Sequence, residues 1–344
     1  MLTRPAAFWL FAALLGGPAA AGFQDVLETP AQISPISQSA PILAVTRAGD
    51  RLVAVGVRGH ILLSDDQGAN WRQVPVPVSS DLTAAYFATP LDGWAVGHDG
   101  VVLHSHDGGD HWDKQLDGRG AAQLMEARYE GELAEEARRM EQDGPDKPFL
   151  DVWFADAKTG YVVGAFNLIF KTTNGGASWT PLYERTENPQ RLHLYTMRPC
   201  GKTLCIAGEG GLMLKSQDGS DTFKAVPFPY KGSLFGLVAG RDAILAYGLR
   251  GNLFRSADGG AGWSKVETGE RSALVGGSGD GTGAIALAAQ AGAVLVSHDD
   301  GKSFATLRLK RPMPLSGIAA LAGDRLVLAG QAGLITMNAG EAAP

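Results

Sequence analysis

The side chains most suggestive of chemistry in this sequence are carboxylates and carboxamides that recur in one phrase. Ser64-Asp-Asp66-Gln-Gly68-Ala-Asn-Trp71 is its first copy, and Ser105-His-Asp107-Gly-Gly109-Asp-His-Trp112 its second. Four more copies centre on Asn174, Asp218, Asp258 and Asp299, and end on Trp179, Phe223, Trp263 and Phe304. The shared pattern is [ST]-x-[DN]-x-[GS]-x-x-[WF]. An Asp or Asn at its third position can accept bonds from backbone N–H groups a few residues on, and Gly suits the tip of such a turn. The hydroxyl can bond back across the turn, and the aromatic opens the next strand. Repetition at every copy assigns Asp66, Asp107, Asn174, Asp218, Asp258 and Asp299 to structure rather than to calcium binding. No P-loop, G-x-S-x-G or H-E-x-x-H phrase occurs, so no catalytic residue and no cofactor is expected. His98, His104, His106 and His111 are close in sequence. They spread over a turn, a strand and a hairpin at opposite ends of one unit, so the expectation is surface histidines and no metal.

These turns must be positioned by many short elements. The chain has 344 residues, 45% hydrophobic and 19% charged, with 46 glycines but no collagen period. That excludes a disordered chain and points to an all-β protein rich in turns. The formal charge of −6 argues against a general nucleic-acid binder. Each phrase follows a strand, a glycine-containing turn and another strand, as in Gly93-Trp-Ala-Val-Gly97-His-Asp-Gly100. The unit is four short strands in about 40 residues, the repeat of a β-propeller blade. Seven units are counted. The seventh stops before its outer strand, and Phe23–Pro30, within 22–31, is expected to supply that strand and close the ring.

With six such boxes, the Gly-Trp-Ala-Val-Gly phrase and seven units, residues from Phe23 to Asn338 resemble the photosystem II stability/assembly factor family of exported seven-bladed propellers. The resemblance implies a non-catalytic monomer that binds a protein client, a subunit of a membrane complex, and assists its assembly. The alternative is a sialidase-like propeller that binds or cleaves glycans, since the box also occurs in sialidases. Against it, the usual Phe/Tyr-Arg-Ile/Leu-Pro phrase of sialidases is absent and their blade count is six.

The remaining expectations concern location and binding. Residues 1–21 read as a secretory signal peptide, with Arg4 before a ten-residue apolar run and a small-residue ending. The expected address is the periplasm, or a thylakoid lumen in a photosynthetic source, with no membrane span in the mature chain. The propeller then covers 22–340, with a tail at 341–344. Cys200 and Cys205 flank a turn; a disulfide would clip it, and free thiols are the alternative. Residues 117–147 interrupt the period, and 121–140 read as one amphipathic helix with an acidic face. Lys147, Arg191, Lys231, Arg271 and Arg311 recur at intervals of 44, 40, 40 and 40 residues. They fall in blade-to-blade links, and Arg58, His60 and Arg250 fall in glycine turns on the same face. This rim is expected to bind an acidic or C-terminal segment of the client.

Overall fold

The structure is a computed structural model that describes residues 24–216 and 221–339. The expected signal peptide, the tail at 341–344 and Asp218 lie outside these residues. Seven antiparallel sheets follow one another along the chain. Six have four strands in sequential order, and the seventh has three, Leu315–Ala320, Arg325–Gly330 and Gly333–Asn338. Innermost strands of neighbouring sheets contact one another around a ring, the first with the seventh included. This is a seven-bladed β-propeller.

The boxes build the hairpins between third and fourth strands. In blade five Ser256 is buried at the end of Leu253–Ser256. Its hydroxyl donates to Asp258 Oδ1 at 2.7 Å and accepts from the Gly260 N–H at 2.8 Å. Asp258 Oδ1 then accepts from the N–H groups of Ala261 and Gly262. The same bonds recur at Ser64/Asp66, Ser105/Asp107, Thr172/Asn174 and Ser297/Asp299.

Each turn aims its aromatic at the seam with the preceding blade. Trp112 joins the core between blades one and two, and Trp179 the core between two and three. Phe223 lies between blades three and four. Trp71 packs in the core shared by blades one and seven, beside Val327 and Ala329. The ring therefore closes through the same kind of apolar seam that joins its other blades.

The expected closing strand is not there. Residues 24–30 form turns rather than a strand, and residues 22–23 lie outside the described range. Leu27 and Ala31 are buried in the core of blades one and two, among Val74, Val76 and Val78. Backbone bonds run from Ala31 N–H to Val76 O and from Ser79 N–H to Val26 O. Lys114 Nζ donates to Leu27 O and Glu28, and Arg119 pairs with Asp25. The segment straps blade one to blade two because its apolar and charged partners are there. Across the seven–one seam Arg325 instead donates to Gln67, and Thr336 Oγ1 to Gly68 O.

The insertion also departs from expectation. It is two helices, α1 (Gly118–Arg128) and α2 (Gly131–Asp143), between blades two and three. The break falls at Gly131, whose φ of +60° is left-handed. Asp117 caps α1, accepting from the N–H groups of Arg119 and Gly120. The apolar stripe still faces inward, with Met125, Ala137 and Met140 buried against Phe149, Phe170 and Trp179. Among the described residues no helix is long and apolar enough to cross a membrane.

Removing one box hydroxyl tests this frame. Ser256→Ala leaves the buried Gly260 N–H without a partner and is expected to destabilise by about 1–3 kcal/mol. A lower urea midpoint at unchanged m-value reads that loss. The box carboxylates also predict acid sensitivity. Bonds from the Asn70 backbone and side chain and from Ser64 hold the Asp66 carboxyl down at about 2. A depressed folded pKa gives stability that is present above the ordinary carboxylate range and lost as pH falls through the folded value. The melting temperature of the parent should fall between about pH 4 and pH 2. That fall should be shallower in Asp66→Asn.

Candidate functional site

In each blade the turn between strands two and three lies against the link that leaves the same blade. A Cβ added at Gly251 would meet Glu270 O at 2.1 Å, and one at Gly211 would meet Tyr230 O at 2.0 Å. Turns and links therefore share one face, as the sequence implied. The middle residue of five of these turns is left-handed: Arg58, Asp99, Phe166, Gly210 and Arg250, with φ between 52° and 63°. Glycine takes that conformation without strain, so an Arg there is retained at a backbone cost.

The expected basic residues divide into two groups. Arg58, Lys231, Arg250, Arg271 and Arg311 are exposed and make no ion pair among the described residues. Arg191 and Lys147 are engaged by the insertion and the loop after it. Arg191 bonds Glu136 of α2 at 2.8 Å and lies over the Tyr183 ring, while Lys147 pairs with Asp146 and Asp143. His60 is buried, and burial, helped by the Arg58 charge, pushes its imidazole below the usual range. It is neutral at pH 7 and adds no charge to the rim. Three carboxylates on this face turn inward. Asp81 accepts from the Arg58 N–H, Glu209 from the His193 N–H, and Glu270 from the Arg271 and Ser272 N–H groups.

Behind the rim lies a central channel of about 450 Å³, lined by the innermost strands. Sequence reasoning missed its polar centre. Arg198 bonds both oxygens of Asp151, at 2.6 and 3.2 Å, and lies over the Tyr86 ring. Asp151 also accepts from the Met197 N–H. Tyr195 and Phe235 stand edge-to-face in the same wall, and His193 links them to Phe166, which is 48% exposed at the mouth. The available signal was polar and aromatic residues at innermost-strand positions, where apolar ones would otherwise pack.

At the opposite end of blade two the structure brings His104 and His106 beside Asp92, whereas His98 is in the turn at the rim end. His111 pairs with Asp107 inside its own box. Cys200 and Cys205 are disulfide-bonded, with Cα atoms 5.6 Å apart.

Comparison with known proteins places this fold. The sequence profile of the photosynthesis system II assembly factor YCF48 family matches residues 41–130 and 135–265. The chain belongs to this family. It is 24% identical over 157 residues to the photosystem II assembly lipoprotein Ycf48 of Synechococcus sp. (strain CC9902), a match over 45% of this chain and 39% of that protein. The chain thus matches less than half the length of that curated relative. A solved structure of YCF48 bound to D1 peptide superposes with a TM-score of 0.64 at 17% identity, covering 89% of this chain and 94% of that one. The GH74 enzyme of Niastella koreensis superposes at 0.68 with 13% identity, covering 90% of this chain and 53% of that one. At these identities both likenesses concern the fold alone.

The left-handed arginines give a test that separates stability from binding. Arg250→Gly relieves backbone strain and is expected to leave stability equal or up to about 1 kcal/mol higher. It should at the same time weaken binding at the rim. Thermal unfolding and peptide titration on one preparation read both effects.

Proposed function

We propose that this chain is a non-catalytic, exported propeller that binds a protein client and assists assembly of a membrane complex. The observation that carries this reading is the set of exposed, unpaired cations on one face: Arg58, Lys231, Arg250, Arg271 and Arg311. Guanidinium groups suit carboxylates through paired hydrogen bonds, so an acidic segment or a terminal carboxylate is the fitting ligand. A relative solved as YCF48 bound to D1 peptide supports a peptide client in this family. Family membership supports a photosystem II subunit as that client, and the relatives named as a lipoprotein and a chloroplastic factor support an exported or lumenal site of action.

The glycan-hydrolysing alternative has the fold of the GH74 enzyme in its favour. Glycoside hydrolysis ordinarily uses two carboxyl groups flanking the scissile bond. Among the described residues lining the channel there is one carboxylate, Asp151, and it is held by Arg198 and a backbone N–H.

Charge reversal tests the rim. Each exposed contact is worth up to about 1 kcal/mol, so Arg250→Glu with Arg271→Glu and Arg311→Glu should lower affinity roughly tenfold to a hundredfold. Anisotropy of a labelled D1 peptide across a salt series measures this, and the variant should also lose salt sensitivity. Unchanged affinity and salt response would remove the basic rim from the mechanism. Deleting 119–145 would expose Phe149 and Trp179, so the insertion is better probed by Glu136→Gln. That change frees Arg191 and should strengthen peptide binding.

A further inference from the structure

The geometry points to a divalent transition-metal site at the box end of blade two, formed by Asp92, His104 and His106. The ligand atoms of these three side chains lie within 4.8 Å of one another, the one such convergence among the described residues. It follows from strand register. Trp94 pairs with His104 and Gly93 with Ser105, which carries Asp92 alongside His106. His104 and His106 are two apart on an extended segment, so their rings emerge on the same side. Asp92 is fixed by Thr89, whose hydroxyl donates to Asp92 Oδ2 at 2.8 Å.

A second observation is independent of that proximity. His104 is 6% exposed, stacked on the Trp94 ring, and its buried Nε2 has no hydrogen-bond partner. A buried polar atom without a partner is costly, and a metal ion would satisfy it in the tautomer that leaves Nε2 unprotonated. Gln115 Nε2 lies 3.0 Å from His104 Nδ1, while Gln115 Oε1 is itself buried and unpartnered. If His104 Nε2 ligates a metal, its ring proton must sit on Nδ1. Presenting the unpartnered Gln115 Oε1 to that proton would also set it toward Gly175 O, so the side chain must swing away from Gly175 and give up that bond. Carboxamide or carboxylate support of a ligating imidazole is a common device in metal sites.

Two imidazoles and one carboxylate suit zinc and its neighbours rather than calcium or magnesium, which favour oxygen-rich shells. Zinc takes these donors at about 2.0–2.2 Å in a tetrahedron, which sets them roughly 3.4 Å apart. His106 Nδ1 is now 3.9 Å from Asp92 Oδ1, and the exposed His106 ring lies edge-on to the His104 ring at 4.1 Å, so a small side-chain rotation would close the set. Three protein ligands leave a fourth position open to solvent. Binding would tie the first hairpin turn of blade two to its box hairpin.

The test uses the tag-free chain after chelator treatment, titrated with Zn2+ by calorimetry. The expected result is saturable binding of one ion per chain, with a raised melting temperature. His106→Ala and Asp92→Asn should each weaken binding about tenfold or more, whereas His111→Ala should not. His106 is exposed, so its removal leaves the Trp94–His104 stack in place, and an unchanged melting temperature without zinc verifies this. Co2+ bound to the parent should give the visible absorption of a tetrahedral ion, lost in both variants. Absence of saturable binding, or one-to-one binding that both variants retain, would overturn the assignment.

Discussion

The apolar seam between neighbouring blades is the interaction on which the rest of this propeller depends. A four-stranded blade buries little by itself. Each gains its core from side chains that reach across to the next sheet, such as Trp94 against Phe154 and Phe223 against Tyr161. In the five boxes whose turns are described, the buried Ser or Thr hydroxyl serves that seam. It ends the third strand, holds the glycine N–H and sets the angle at which the aromatic leaves the turn. A local hydrogen-bond pattern therefore controls long-range packing.

Closure follows the same physics. The seam between blades seven and one forms because Trp71 is supplied from the blade-one side, as other box aromatics serve the seam before their own blade. The segment at residues 24–31 does not line this seam. Its Leu27 and Ala31 instead fill the outer part of the blade one–two seam, held by Lys114 and Arg119.

On the rim face, backbone demand decides which charges remain available. The turns and links expose N–H groups that Asp81, Glu209 and Glu270 satisfy. Their carboxylates are thereby fixed close to the backbone, while the longer Arg and Lys side chains extend outward. The insertion acts in the opposite sense on one residue, since Glu136 holds Arg191. A net-acidic chain can present cations at one mouth because Asp81, Glu209 and Glu270 beside them are engaged by backbone N–H groups.

The period, the seven units, the box chemistry and the face shared by turns and links were legible in the sequence, because each rests on contacts between residues a few positions apart. Ser256, Asp258 and Gly260 carry their hydrogen bonds within five residues, and that pattern survives any tertiary arrangement. The stripe Met125, Ala137 and Met140 was legible too, although the break at Gly131 was not. Tertiary structure alone decided which partners met across long separations. It placed Leu27 against Val76 rather than at blade seven, paired Arg191 with Glu136, buried His60, joined Arg198 to Asp151 and set Asp92 beside His106. Each of these depends on register or on an inter-blade contact, and many alternative partners of equal chemistry exist along the chain. Only the folded geometry selects one of them.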